Sequence, residues 1–91
     1  MKEVLAMRKL KQLNEVRKEL IEAGFEYLGE CIICDCFTHF WVKPIGDGRH
    51  EIAISDGWLG DYTPYFSQID DEGLRRIKER IHADNPYVRR C

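Results

Sequence analysis

From Lys2 to Ala23 the apolar residues Leu10, Leu13, Val16 and Leu20 recur at spacings of three and four, and Lys9, Lys11, Glu15, Arg17, Lys18, Glu19 and Glu22 fill the rest of the surface. This spacing predicts an amphipathic helix over about residues 2–23. Gly24, just past the last periodic residue, supplies a left-handed C-terminal cap. The apolar period then changes. Phe25 to Cys34 reads as a first strand with a reversal near Asp35, but its two halves face differently. Glu26 and Glu30 turn Phe25, Tyr27 and Ile33 inward, whereas Leu28 and Ile32 demand the opposite phase, and a bulge at Gly29 would switch between them.

On either side of Gly46-Asp47-Gly48 lie dense apolar and aromatic runs. Glycines flanking an aspartate supply the positive φ angles of a short hairpin loop, so residues 36–55 are expected to form two antiparallel strands. A three-residue loop sets Phe40 opposite Ile54 and Val42 opposite Ile52, with four core residues on one side, and pairs Lys43 with Glu51. A shift by one residue loses both features. Alternation then leaves Phe37, His39, Trp41 and Lys43 on the second face, with Glu51, Ala53 and Ser55 beside them.

Residues 56–66, DGWLGDYTPYF, form a loop too apolar for a solvated linker. Ser67-Gln68-Ile69-Asp70 has the form of an N-terminal capping box, and Leu74, Ile77 and Ile81 continue a helical stripe, so a second helix is expected over residues 67–84. It ends before Asn85-Pro86, because proline disfavours helical geometry in the residue before it. Residues 85–91 are a short tail. The expected fold is a single α+β domain of order αβββα, a three-stranded antiparallel sheet with both helices packed on one face and the Trp41 face left open.

Ninety-one residues, 44% hydrophobic and 33% charged, suit one domain with one modest core. The N-terminal stretch breaks every apolar run with a charge, so neither a secretory h-region nor a membrane span is expected, and the chain reads as cytoplasmic with reduced cysteines. A formal charge of −2 gives no global footprint for nucleic acid, which leaves only local basic patches for such binding.

Cys31, Cys34, Cys36 and His39 make a C-x-x-C-x-C-x-x-H run of zinc-competent ligands, with Cys91 as a substitute. The isoleucines between Cys31 and Cys34 are strand-like and there is no second ligand pair. The favoured expectation is therefore small buried cysteines and no cofactor. His39, projecting from the open face beside Trp41, is the candidate catalytic acid or base, against the alternative of a histidine simply packed beside a tryptophan. His50 and His82 are weaker candidates. Lys43, Arg75, Arg76, Lys78 and Arg80 are the candidate phosphate contacts, although Glu72 and Glu79 interrupt them as on an ordinary solvated helix. Trp41, Trp58, Tyr62 and Tyr65 are candidate anchors for a protein partner.

Leu20-Ile21-Glu22-Ala23-Gly24-Phe25, Thr38-His39-Phe40, Pro44 and Gly48 in the hairpin, and Gly73-Leu74-Arg75-Arg76-Ile77, taken together from about Leu13 to Ile81, resemble the HicA toxins. The resemblance implies a double-stranded-RNA-binding-domain-like fold and metal-independent mRNA cleavage within a toxin-antitoxin pair, with His39 at the catalytic histidine's position. Phe37 stands where the family usually has glycine, and Ile54-Ser55-Asp56-Gly57 replaces its Val-Pro-x-His type sequence. Two functions are therefore expected to compete: a HicA-like RNA-interacting protein, and a non-enzymatic protein-binding module such as a phage-type inhibitor or regulator. A zinc-stabilised adaptor is the third. Partners would be RNA, or a protein such as an antitoxin or an inhibited target, and no membrane.

Overall fold

A computed structural model describes residues 10–33 and 35–84. The first helix, α1, runs from Leu13 to Glu22. Its start lies well inside the expected range because the residues before it are committed elsewhere: the Lys11 carbonyl accepts from the Tyr62 amide at 2.8 Å, and the Lys11 amide donates to the Asp61 carboxylate. Gln12 is extended, and Glu15 reaches back to accept its amide at 3.0 Å, closing the first turn. Leu10 falls outside the helix and is exposed. The remainder of the expected N-terminal helix lies outside the described residues.

Strands β1 (Glu26–Ile33), β2 (Cys36–Gly46), β3 (Arg49–Ser55) and β4 (Tyr65–Asp70) form one antiparallel sheet in chain order. The central hairpin has the expected register, with Phe40 opposite Ile54, Val42 opposite Ile52 and Lys43 opposite Glu51. Its tip is tighter than a three-residue loop. Gly46 pairs with Arg49, Ile45 is the bulged residue, and Asp47 and Gly48 turn the chain at φ 56° and 70°. In β1 the pairing with β2 shifts between Tyr27 and Gly29, so both halves of the strand find their apolar face: Phe25 joins the Trp41 side and Leu28 and Cys31 the Phe40 side. Gly29 has φ +140°, and a Cβ there would stand 2.9 Å from Ile81, so this position also lets the second helix approach.

The sheet has four strands, not three. Tyr65–Asp70, expected as loop end and helix start, pairs with β3 from Ile54 to Arg49. The second helix, α2, therefore begins at Asp71 and runs to Asp84. Asp70 provides its cap, accepting the Gly73 amide at 2.8 Å. Ser67 takes no part in a cap, because it sits in the β3–β4 ladder opposite Ile52.

The helices occupy opposite faces, which corrects the expectation of both on one. On one side Val16 and Leu20 of α1 pack with Phe25, Trp41 and Ala53, and Leu13 and Tyr62 flank them. On the other, Ile77 and Ile81 of α2 pack with Cys31, Phe40, Ile52, Leu28, Ile54 and Ile69. Each face carries enough apolar surface to hold one helix. A tryptophan whose partner across the hairpin is alanine leaves room for a helix to settle onto it. The architecture is α-β-β-β-β-α, of the α+β class. Among the described residues no helix is long and apolar enough to cross a membrane.

Candidate functional site

His39 and Trp41 follow each other on the α1-covered face of β2, paired with Ser55 and Ala53. Neither lies on an open surface, contrary to expectation: Trp41 is 0% exposed and His39 6%. What closes this face is α1 together with the segment after β3. Gly57 turns at φ 65°, a 3-10 turn spans Trp58–Gly60, and the Ser55 hydroxyl donates to the Tyr62 carbonyl oxygen at 2.6 Å. Tyr62 is thereby drawn over His39, with ring centroids 6.2 Å apart.

The bulge in β1 brings two further groups to His39. The Tyr27 hydroxyl lies 2.9 Å from Nδ1, and a Glu30 carboxylate oxygen lies 3.5 Å from the same nitrogen. With the phenol donating, Nδ1 is the acceptor and the ring proton sits on Nε2. The Arg17 guanidinium of α1 stands 5.7 Å from the Tyr27 ring centroid. Burial pushes the imidazole below the ordinary histidine value of 6.5, opposed by the Glu30 charge. Burial also raises the Tyr27 phenol, assisted by Glu30. Tyr27 and Glu30 escaped the sequence reading because only the bulge places them on this face.

The folded protein takes up a proton at His39 less readily than the unfolded chain does. Below the ordinary value of 6.5 the unfolded chain therefore binds more protons. This contribution to stability is complete above 6.5 and is lost as pH falls through the lowered folded value. Urea midpoints should accordingly decline as pH falls from 6.5 to the lowered folded value, and His39→Gln should flatten the decline. Equal slopes in the two proteins would show that His39 is not the group responsible.

The other sequence-predicted residues scatter. Arg75 pairs with Glu72 and Glu79, and Arg76 with Glu72 at 3.2 Å, so carboxylates of α2 engage two of its arginines. These contacts, chiefly Arg75, hold the Glu72 carboxyl below its ordinary range. Arg80 donates to the Ile32 carbonyl at 3.3 Å, and Lys43 donates to the Ala23 carbonyl at 3.1 Å beyond the C-terminal end of α1. Lys78 lines a shallow cleft between α2 and β1 together with Glu26 and Tyr27. His50 of β3 bonds Asp71, the first residue of α2, at 2.7 Å, and His82 is exposed near the C-terminal end of that helix.

Cys31 is buried and Cys36 half-buried on the Phe40 side, whereas His39 faces the other way. These three therefore do not converge on one point. Cys34 and Cys91 lie outside the described residues. Among the described residues no three histidine, cysteine or acidic side chains gather as a metal site would require.

An uncovered apolar feature lies on the Phe40 side, past the reach of α2. There Ile33, Cys36, Thr38, Phe40, Ile54, Asp56, Trp58 and Tyr65 line a groove of about 290 Å³, and no α2 residue contributes. Trp58 and Tyr65 are 63% and 57% exposed. Of the four aromatic candidates, two therefore stand together at the groove, Tyr62 is half-buried over the opposite face, and Trp41 is core. Comparison with protein-family models, curated proteins and solved structures finds no match.

Proposed function

We propose that this protein is a non-enzymatic binding module that engages a protein partner through the groove rimmed by Trp58 and Tyr65. The observation that supports this reading is the half-covered Phe40 face: α2 seals one end, and the other exposes two large aromatics around an apolar floor. Aromatic side chains with most of their surface in water, next to a concave apolar patch, are what interface anchors look like before the partner arrives. The acidic balance of the chain and the ion-paired Arg75 and Arg76 of α2 favour protein over nucleic acid as that partner.

One observation favours the HicA-like RNA-cleaving reading: Arg17, Tyr27 and Glu30 gather at His39, groups able to move protons and hold a phosphate. In that reading His39 takes the 2′-hydroxyl proton as the oxygen attacks the adjacent phosphate, the P–O5′ bond breaks to leave a 2′,3′-cyclic phosphate and a 5′-oxygen that takes its proton from the imidazolium or water, and Arg17 stabilises the developing charge. An imidazole this buried must first be uncovered for substrate to reach it.

Affinity capture from the native host separates the two readings. Wild type and Lys78→Ala are expected to retain the same protein, and Trp58→Ala to lose it, with RNA incubated alongside left intact. RNA cleavage by wild type that His39→Ala abolishes and Trp58→Ala preserves would transfer the function to the second reading.

A further inference from the structure

The groove carries charge of one sign. Asp56 is part of its lining, and Asp35 occupies the left-handed turn, φ 67°, between the lining residues Ile33 and Cys36. Neither carboxylate has an ion-pair partner among the described residues. Asp56 accepts only the Trp58 amide at 3.1 Å, a local turn contact that leaves its charge uncompensated. Asp35 is exposed. Arg80 reaches the same end of β1 but is engaged at the Ile32 carbonyl. Some other surface carboxylates are paired: Glu72 with Arg75 and Arg76, Glu79 with Arg75, and Glu19 with Lys11. Two carboxylates without an ion-pair partner thus stand beside an apolar floor whose lining includes no lysine or arginine.

The volume points the same way. At about 290 Å³ and open on one side, the groove is at the bottom of the range that encloses a small-molecule ligand, usually about 300–1,000 Å³. It can take apolar side chains from a longer chain whose backbone stays outside. The partner best matched to it inserts an apolar side chain against Phe40, Ile54, Trp58 and Tyr65 and presents lysine or arginine to Asp35 and Asp56.

Resting on the binding-module reading, we infer that the groove selects a peptide segment with an apolar centre and basic flanks, and that Asp35 and Asp56 set this selectivity while Trp58 and Tyr65 supply most of the affinity. Opposite charge at a solvated rim acts mainly on partner choice and on the rate of encounter, and apolar anchors act on residence time. The two contributions should therefore separate by mutation.

Three fluorescein-labelled synthetic peptides of equal length provide the test by anisotropy: Leu-Trp-Leu flanked by lysines, the same centre flanked by glutamates, and lysine flanks around Ser-Gly-Ser. Wild type should bind the first at least about fivefold more tightly than the second at low salt, and the gap should shrink as salt is added. The third should not bind detectably. In the double variant Asp35→Asn, Asp56→Asn the gap between the first two should close, whereas Trp58→Ala should weaken the first about tenfold or more. Equal binding of the lysine- and glutamate-flanked peptides, both lost in Trp58→Ala, would overturn the charge selectivity and leave the binding-module reading standing. No binding of any peptide would overturn the inference, with the capture experiment judging the broader reading separately. Self-association of the free protein that Trp58→Ala abolishes, seen by sedimentation, would give the groove to a second copy and also overturn it.

Discussion

Trp41→Ala is expected to lower the unfolding free energy by about 3–5 kcal/mol, read as a fall in the urea midpoint with little change in slope. The indole is fully buried, in contact with Val16, Leu20, Phe25 and Ala53, and its ring centroid lies 5.2 Å from that of Tyr27. Removing it leaves a cavity between α1 and the sheet that neither can close without losing the contacts that hold the other. A domain of this size has about 5–15 kcal/mol in total, so the loss is a large fraction of its stability. One detail tempers the cost of a smaller change. The indole Nε1 is buried without a hydrogen-bond partner among the described residues, an arrangement that itself costs about 1–3 kcal/mol. Trp41→Phe keeps most of the packing and discards that orphan donor, so it should cost well under half of what the alanine does. A Trp41→Ala protein as stable as wild type would return Trp41 to the surface, where the open-face expectation had put it.

That contrast shows what the hydrophobic pattern could carry. The hairpin was legible because three independent signals had to agree: glycines at the tip, an apolar set on one side, and Lys43 facing Glu51. A one-residue slip would have broken two of them. The β1 bulge was visible as a conflict, since Phe25 and Leu28 could not face the same way without one. The placement of α1 was not legible. Leu13, Val16 and Leu20 say that the helix has an apolar side and nothing about which sheet face receives it, because both faces of β2 carry bulky residues. Trp41 read as an exposed aromatic only on the assumption that its face stayed uncovered. β4 was hidden by a true signal in the wrong place. Asp70 does cap α2, but the serine three residues earlier imitates a capping box while it pairs in the sheet.

For the candidate sites the limit was of the same kind. His39 stood out by residue type, but its neighbours Tyr27 and Glu30 reach it only through the bulge. The groove assembles residues from β1, β2, β3, β4 and the connecting loop, and no local spacing announces such a set. Trp58 and Tyr65 stand out in the sequence as aromatic candidates, but nothing in it indicates that they share one floor. The basic residues of α2 were legible together with what neutralises them, since Glu72 and Glu79 lie at helical spacing from Arg75 and Arg76.

Ile52→Asp should leave the chain largely unfolded at room temperature, while Ile45→Asp, seven residues earlier in the same hairpin, should change stability by no more than about 0.5 kcal/mol. Ile52 is 1% exposed and lies in the cluster that joins Cys31 and Phe40 of the sheet to Ile77 and Ile81 of α2. A carboxylate there must either ionise without a partner or take up a proton, and in both cases it displaces an apolar contact worth about 1.5–3 kcal/mol. An unpaired buried charge adds about 3–5 kcal/mol to that loss, enough in sum to consume the stability of a small domain. Ile45 is as apolar and as β-branched, but it is the bulged residue before the turn and is 45% exposed. A carboxylate at that position stays in water. Far-ultraviolet circular dichroism and thermal melting of the two variants distinguish the cases directly. If Ile45→Asp unfolds and Ile52→Asp melts as wild type does, the bulge lies elsewhere and the register between β2 and β3 is not the one described.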